Sequence, residues 1–136
     1  EILNTLISKS SVGWHIEHSL LVLNAITDAL ARSNPADFKK SFNFIRILVF
    51  TFGKIPRGKG KAPGSVIPTE TINQASLLNH LERTKVKVME IDKMESSCFF
   101  KHPFFGDLKL RQTIKFLQIH TKHHLDIIND IIKKNK

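Results

Sequence analysis

The feature that most constrains the fold is the long amphipathic segment Leu108–Lys134 near the end of the chain. Its apolar side chains recur every three or four residues, which is the repeat of an α-helix with one face turned to a core. That face carries Leu110, Ile114, Leu117, His124, Ile128 and Ile131. His120 lies four residues before His124, so a helix stacks the two imidazoles on the same face. The segment therefore predicts a helix that brings two histidines to the protein interior.

Two histidines on a core-facing stripe need partners, because burying an unpartnered polar group costs free energy. They are either hydrogen-bonded core residues or ligands of a shared metal ion. The i, i+4 spacing suits a metal, because both imidazoles can reach one ion at about 2.0–2.1 Å. His123 turns roughly 100° away from this face and is not predicted to be a ligand. A metal site would need a third ligand from another segment.

Three earlier segments also have helical spacing. A helix is predicted over Val12–Arg32, with Ser10-Ser11 as its N-terminal cap, and others over Ala36–Phe52 and Glu70–Ser97. Residues Glu1–Lys9 are expected to be the end of a short helical piece. Four long helices predict an all-α four-helix bundle, formed by a single domain that spans the 136 residues.

Some predictions depend on how these segments pack. The apolar stripe of the second helix is predicted to be ordinary core, and it consists of Phe38, Phe42, Ile45, Val49 and Phe52. Residues Thr84–Ile91 alternate as a strand would, but we assign them to a helix because no second strand is apparent. The aromatic stretch Phe99–Gly106 is expected to form a turn packed on the bundle, with His102 in a structural role. Asp107 is predicted to cap the last helix.

A third histidine on an apolar helical face, His18, completes a candidate metal site. It shares its stripe with Trp14, Leu21, Ala25 and Ala29. His15 and Glu17 lie on other faces and are expected in solvent or at the boundary. Facing helices of a bundle can bring His18 to His120 and His124. Three neutral imidazoles leave a coordination position for water or substrate, so we expect one divalent ion, Zn or Ni before Fe, Mn or Cu.

The segment Gly53–Pro68, between the second and third helices, is rich in glycine, proline and lysine and is predicted to be a long loop. It lacks the GxxxxGK[ST] pattern of a phosphate-binding P-loop. Long structured loops in small domains are often functional. Its basic residues, Lys54, Arg57, Lys59 and Lys61, either hold an anion near the mouth of the site or are simply solvated.

The net charge of +9 is compatible with a nucleic acid partner, an anionic substrate or solubility alone. No zinc finger, basic zipper or RNA-recognition motif is present, so nucleic acid is not the expected partner. The single cysteine, Cys98, excludes an internal disulfide framework and fits a reducing compartment. No signal peptide is recognisable and no apolar run is long enough to span a bilayer. We therefore expect a cytoplasmic protein with no membrane partner.

The chain resembles the DinB-like superfamily of bacterial four-helix bundles in three motifs, Trp14-His15-Ile16-Glu17-His18, His102-Pro103-Phe104-Phe105-Gly106 and His120-Thr121-Lys122-His123-His124. The loop Gly53–Gly64 resembles a branch of that superfamily with no assigned function. This resemblance implies a metal-binding triad of His18, His120 and His124, with His123 as an adjacent residue that is not a ligand. It further implies, from some relatives, thiol-dependent transferase or isomerase chemistry, in which a metal lowers the pKa of a low-molecular-weight thiol.

Three hypotheses follow from these features. The favoured one is a metal-dependent enzyme, a thiol S-transferase or a hydrolytic relative, with a small-molecule substrate and a basic loop that holds an anionic cosubstrate. The second is a binder of nucleic acid or another polyanion that uses the loop Gly53–Gly64. The third is a non-catalytic bundle, for example a homodimer, whose histidines are structural.

Overall fold

The computed structural model describes residues 2–69 and 71–135. Within them the chain is mostly helical, with four α-helices and one small antiparallel sheet. The helices are α1 (Val12–Arg32), α2 (Phe44–Phe52), α3 (Gln74–Val88) and α4 (Leu110–Lys134), and the strands are β1 (Phe99–His102) and β2 (Gly106–Lys109). Short 3-10 turns lie at Pro35–Asp37, Gly64–Val66 and Met89–Lys93.

Helices α1 and α4 pack against each other and form the centre of the molecule. The predicted bounds of α1 are confirmed, and the Ser11 hydroxyl caps it by accepting the Trp14 N–H at 3.2 Å. Helix α4 begins two residues later than predicted. Leu30 of α1 and Ile131 of α4 are completely buried. Helix α3 packs on the other side of α1.

The prediction for the second helix is wrong in its first half. Asn43 caps α2 by accepting the Arg46 N–H at 2.8 Å, so the helix begins at Phe44. Earlier in the segment, the Lys39 N–H donates to the Asp107 carboxylate at 2.8 Å. This backbone N–H is bound to a side chain of β2 instead of to a carbonyl one turn back. A continuous helix therefore does not form there.

The prediction that the phenylalanine-rich stripe of this helix is core is also wrong. Of its five residues only Val49 is buried, and the exposed fractions of Phe42, Ile45 and Phe52 are 83%, 64% and 70%. Helix α2 has only two polar residues, Arg46 and Thr51, and it packs on the protein through the side that carries Val49 and Phe50. Spacing alone could not show which side that would be.

Helix α3 is shorter than the predicted Glu70–Ser97. It starts after Asn73, whose side chain accepts the Ser76 N–H at 2.9 Å, and it continues as a 3-10 turn to Lys93. The helical assignment of the alternating segment is confirmed as far as Val88. Glu70 lies outside the described residues.

The predicted aromatic turn is instead a β-hairpin, so the all-α expectation is wrong at this point. Strand β1 pairs with β2 in a register that places Phe99 opposite Lys109 and His102 opposite Gly106. Gly106 adopts a φ of +74°, which favours glycine and lets the chain reverse. Asp107 therefore lies within β2 and does not cap α4.

Two further segments complete the description. The predicted loop Gly53–Pro68 is confirmed, with a short 3-10 turn inside it. The prediction of a helical piece at the N-terminus is wrong for residues 2–9, which contain only a turn. Glu1 lies outside the described residues. No helix in the described part of the chain is both long and apolar enough to cross a membrane.

Candidate metal centre

The structure brings His18 of α1 together with His120 and His124 of α4. One ring nitrogen from each lies within 4.8 Å of the others, so the three side chains could hold one metal ion after small movements of the rings. The ring centroids of His18 and His124 are 4.8 Å apart, and those of His120 and His124 are 4.5 Å apart. His18 and His124 are buried and His120 is half-buried. The three histidines singled out from spacing therefore meet at the contact between the two central helices.

The orientation of His18 is fixed by a backbone carbonyl. Its Nδ1 lies 2.7 Å from the carbonyl oxygen of Val66, in the long loop. A carbonyl oxygen can only accept, so His18 Nδ1 carries the hydrogen and Nε2 keeps a free lone pair. The Trp14 ring stacks on the imidazole with a centroid distance of 4.9 Å and an interplanar angle of 12°. Both contacts hold the ring so that Nε2 is the atom available to a metal ion.

His15 is a buried neighbour of this trio, so the prediction that it lies in solvent or at the boundary is wrong. It is only 4% exposed, and its Nδ1 lies 2.9 Å from Nδ1 of His124. Its Nε2 lies 2.9 Å from the Ser8 hydroxyl oxygen, which also accepts the Ser10 N–H at 3.1 Å. His15 and His18 are three residues apart, so they lie close on the same side of a helix. The i, i+3 spacing of His15 and His18 was the sequence signal that could have predicted this position.

These contacts permit one consistent arrangement of hydrogens that leaves a ligand atom free. If His124 Nδ1–H donates to His15 Nδ1, then His15 Nε2–H donates to Ser8 and His124 Nε2 keeps its lone pair. His124 Nε2 lies 3.3 Å from His120 Nε2. In this arrangement the hydrogen between these two nitrogens lies on His120 Nε2, and a bound ion would displace it.

Burial keeps the cluster neutral. It lowers the pKa of His15 to about 4, that of His120 to about 3 and that of His124 to about 2, with repulsion from neighbouring imidazoles adding to the effect. Burial also lowers the pKa of His18, although its hydrogen bond to Val66 opposes the shift. Neutral imidazoles with free lone pairs are the form that binds a metal.

The donor set fits a transition metal. Among the described residues, the group close enough to share an ion consists of His18, His120 and His124. Three imidazole nitrogens suit Zn, Ni, Cu or Fe better than Mg or Ca, which prefer oxygen ligands. Three protein ligands also leave a position for a small molecule, as in catalytic sites.

The basic loop crosses this region, and the structure divides its four predicted anion-binding residues into two pairs. Lys54 and Arg57 line a cavity of about 210 Å³ between the loop and α4. Lys122, His123 and Asp126 of α4 form the other wall. Lys59 and Lys61 are exposed and do not line this cavity.

An ion pair holds the loop against α4 beside this cavity, because Arg57 contacts Asp130 at 2.8 Å. His123 lines the cavity, as expected for a residue turned away from the trio.

The other two histidines have structural contacts. His102 stacks on Phe105 with a centroid distance of 4.3 Å, and its Nδ1 accepts the N–H groups of Phe104 and Phe105 at 3.1 Å. The predicted structural role of His102 is therefore confirmed. His80 of α3 lies with its Nδ1 2.8 Å from the Glu17 carboxylate.

Comparison with known proteins identifies a family but no function. A family model described as "Protein of unknown function (DUF1569)" matches residues 11–130, a span that includes the histidine trio and the basic loop. None of the curated proteins and none of the solved structures compared with the chain matches it.

Proposed function

The chain belongs to the DUF1569 family of proteins of unknown function, and we propose from its site that it is a metal-dependent enzyme. It would bind one divalent ion through His18, His120 and His124, with Zn or Ni favoured. The observation that carries this proposal is the convergence of three imidazole nitrogens within 4.8 Å. The contacts of Val66 with His18 and of His15 with His124 support it, because ligand histidines commonly give their second N–H to such a partner.

The proposal extends to the fold family. We place the chain among the DinB-like four-helix bundles, with the hairpin β1–β2 in place of a simple turn before the last helix. The packing of α1 against both α3 and α4 supports this placement. The position of the trio on α1 and α4 is consistent with the pattern that the resemblance implies.

The chemistry we propose is the transfer of a thiol sulfur to an electrophilic substrate, with a hydrolytic reaction as the variant in which water takes the place of the thiol. A bound divalent ion lowers the pKa of a coordinated thiol or water. The nucleophile would come from a cosubstrate, because the single cysteine of the chain, Cys98, packs against the hydrophobic core. The thiolate sulfur would form a bond to the electrophilic carbon while the leaving group departs with the electron pair.

The chain's own residues would orient and hold the reactants. Lys54 and Arg57 line a cavity beside His123, where they would bind an anionic group of the cosubstrate. Arg57 is already paired with Asp130 and Lys122 with Asp126, so among the described residues that line this cavity Lys54 is the cation that remains for a ligand. The half-buried Cys98 thiol fits the reducing environment of the cytoplasm, where we place the protein.

The first experiment measures metal content by plasma mass spectrometry on protein purified without chelator or nickel resin. We expect about one ion per chain, because three imidazoles form a single site. The His124→Ala variant should contain none, whereas the control variant His80→Gln, which lies outside the trio, should keep the ion.

Two outcomes would contradict the proposal. One is full occupancy in His124→Ala. The other is no ion in the unmodified protein even after dialysis against zinc and nickel salts. If the ion is present, the next experiment tests low-molecular-weight thiols together with electrophiles as substrates. Turnover that persists in the His124→Ala variant would exclude the metal from the reaction.

A further inference from the structure

Helix α2 exposes an apolar surface that the fold leaves uncovered. Its inward side carries Arg46, Val49 and Phe50. Its outward side, together with Phe42 just before it, forms what we call the α2 surface. The α2 surface consists of Phe42, Phe44, Ile45, Ile47, Leu48 and Phe52, which are between 40% and 83% exposed.

The α2 surface is too large to be incidental. Its six side chains present roughly 700 Å² of apolar area, whereas the largest patch on a typical monomer is about 300–600 Å². Apart from Thr51, the exposed side of α2 is apolar, and an apolar helix face normally contacts protein or lipid. The α2 surface therefore needs a covering partner.

Charge identifies the chemistry of that partner. From Phe38 to Thr69 the chain contains seven basic residues and no acidic one. Lys39 and Lys40 come just before the α2 surface, and Lys59 and Lys61 follow it in the loop. These four lysines are exposed and form no ion pair with any residue that the structure describes. Along the chain, the apolar surface is thus bordered on both sides by positive charge that forms no ion pair with a described residue.

A second copy of the chain is a poor match, because it would bring two such positive borders together. An anionic lipid bilayer is a good match, because it offers negative head groups directly above apolar acyl chains. We propose that the α2 surface docks on anionic membranes. Its phenylalanines lie at the boundary between head groups and acyl chains, and the flanking lysines contact lipid phosphates.

A contact of this kind holds α2 in the plane of the membrane and needs no spanning helix. It departs from the expectation drawn from the sequence, which considered only spanning segments. It is also separate from the metal centre, since His18, His120 and His124 lie where α1 meets α4. Either proposal can fail without the other.

The test is co-sedimentation of the whole protein with phosphatidylcholine vesicles prepared with and without phosphatidylglycerol. We expect binding only when phosphatidylglycerol is present, and we expect it to weaken as salt is raised. The double variant Phe44→Ser/Phe52→Ser should bind at least tenfold more weakly, because it lacks two aromatic rings that become buried in the membrane on binding. Lys39→Gln/Lys40→Gln should weaken binding roughly 25-fold, from about fivefold for each lysine near an anionic surface.

Matched controls separate this surface from general apolar or basic character. Val86 and Met89 are both 67% exposed, on α3 and the turn after it, so Val86→Ser/Met89→Ser removes similar groups elsewhere. Lys133→Gln/Lys134→Gln removes two exposed lysines at the end of α4. Both control variants should bind as the unmodified protein does. All the altered side chains are exposed, and circular dichroism checks that each variant is folded.

Three results would overturn the proposal. The first is no binding to phosphatidylglycerol vesicles. The second is equal binding by the Phe44→Ser/Phe52→Ser variant, which would show an electrostatic contact without insertion. The third is a stable dimer in light scattering that this variant dissociates, which would show that a second copy covers the α2 surface.

Discussion

Acidification should unfold the metal-free protein well before its carboxylates are protonated. Burial lowers the pKa of His15 and His102 to about 4, that of His120 to about 3 and that of His124 to about 2. In the unfolded chain each of these histidines returns to its ordinary pKa of about 6.5. Between pH 6.5 and 4 the unfolded chain therefore binds more protons than the folded protein does. The free energy of unfolding must fall as the pH falls through this range.

The size of the effect follows from the same shifts. At pH 5.5, each histidine that stays neutral in the folded protein lowers the free energy of unfolding by about 1.4 kcal/mol. Four such histidines together lower it by about 5–6 kcal/mol. A loss of that size is comparable to the whole stability of many small domains, about 5–15 kcal/mol.

The assay is urea unfolding of chelator-treated protein, followed by circular dichroism at pH 7.5, 6.5 and 5.5. The variant His124→Gln, which removes one titrating group, should lose about 1.4 kcal/mol less between pH 7.5 and 5.5 than the unmodified protein. A free energy of unfolding that is constant from pH 7.5 to 5.5 would refute the reasoning, since it would mean that the histidines accept protons in the folded protein.

Two substitutions test individual contacts. His15→Ala removes the partner of His124 Nδ1 and keeps all three candidate ligands, so we expect the metal dissociation constant to rise about 10–100-fold. Competition with a chromophoric chelator measures this constant. An unchanged constant would exclude an orienting role for His15. Gly106→Ala places a Cβ 2.5 Å from the Ser41 hydroxyl oxygen, on a residue whose φ is +74°. We therefore expect the free energy of unfolding, measured in urea, to fall by about 1–3 kcal/mol. The control Gly60→Ala meets nothing within 4 Å, and equal losses in both variants would contradict the expectation.

Local signals were sufficient to predict the two helices that carry the site. Helix α1 follows a capping serine and ends shortly before Pro35, and both signals act within one turn of the helix. The i, i+4 spacing of His120 and His124 determines that they share a face, whatever the rest of the fold does. The third histidine of the trio was predictable because His18 lies on an apolar face of the other long helix.

The α2 surface and the hairpin show where local signals are insufficient. Periodicity distinguishes an apolar side from a polar one, but the two polar residues of α2, Arg46 and Thr51, lie on different sides of the helix, so its pattern could not show which residues face the core. The hairpin depends on pairing across the chain reversal at Gly106, between residues such as Phe99 and Lys109. Neither strand is long enough to be recognised alone.

The contacts that orient the candidate ligands are the least predictable part of the site. The carbonyl that accepts from His18 belongs to Val66, 48 residues away, and the imidazole beside His124 belongs to His15, 109 residues away. Whether such groups meet depends on how α1 crosses α4 and on the path of the loop over both. Spacing can therefore place three nitrogens on facing helices, but the hydrogen on each ring is decided by tertiary contacts. A sequence with the same three histidines and a different loop could hold them in the wrong tautomer for a metal.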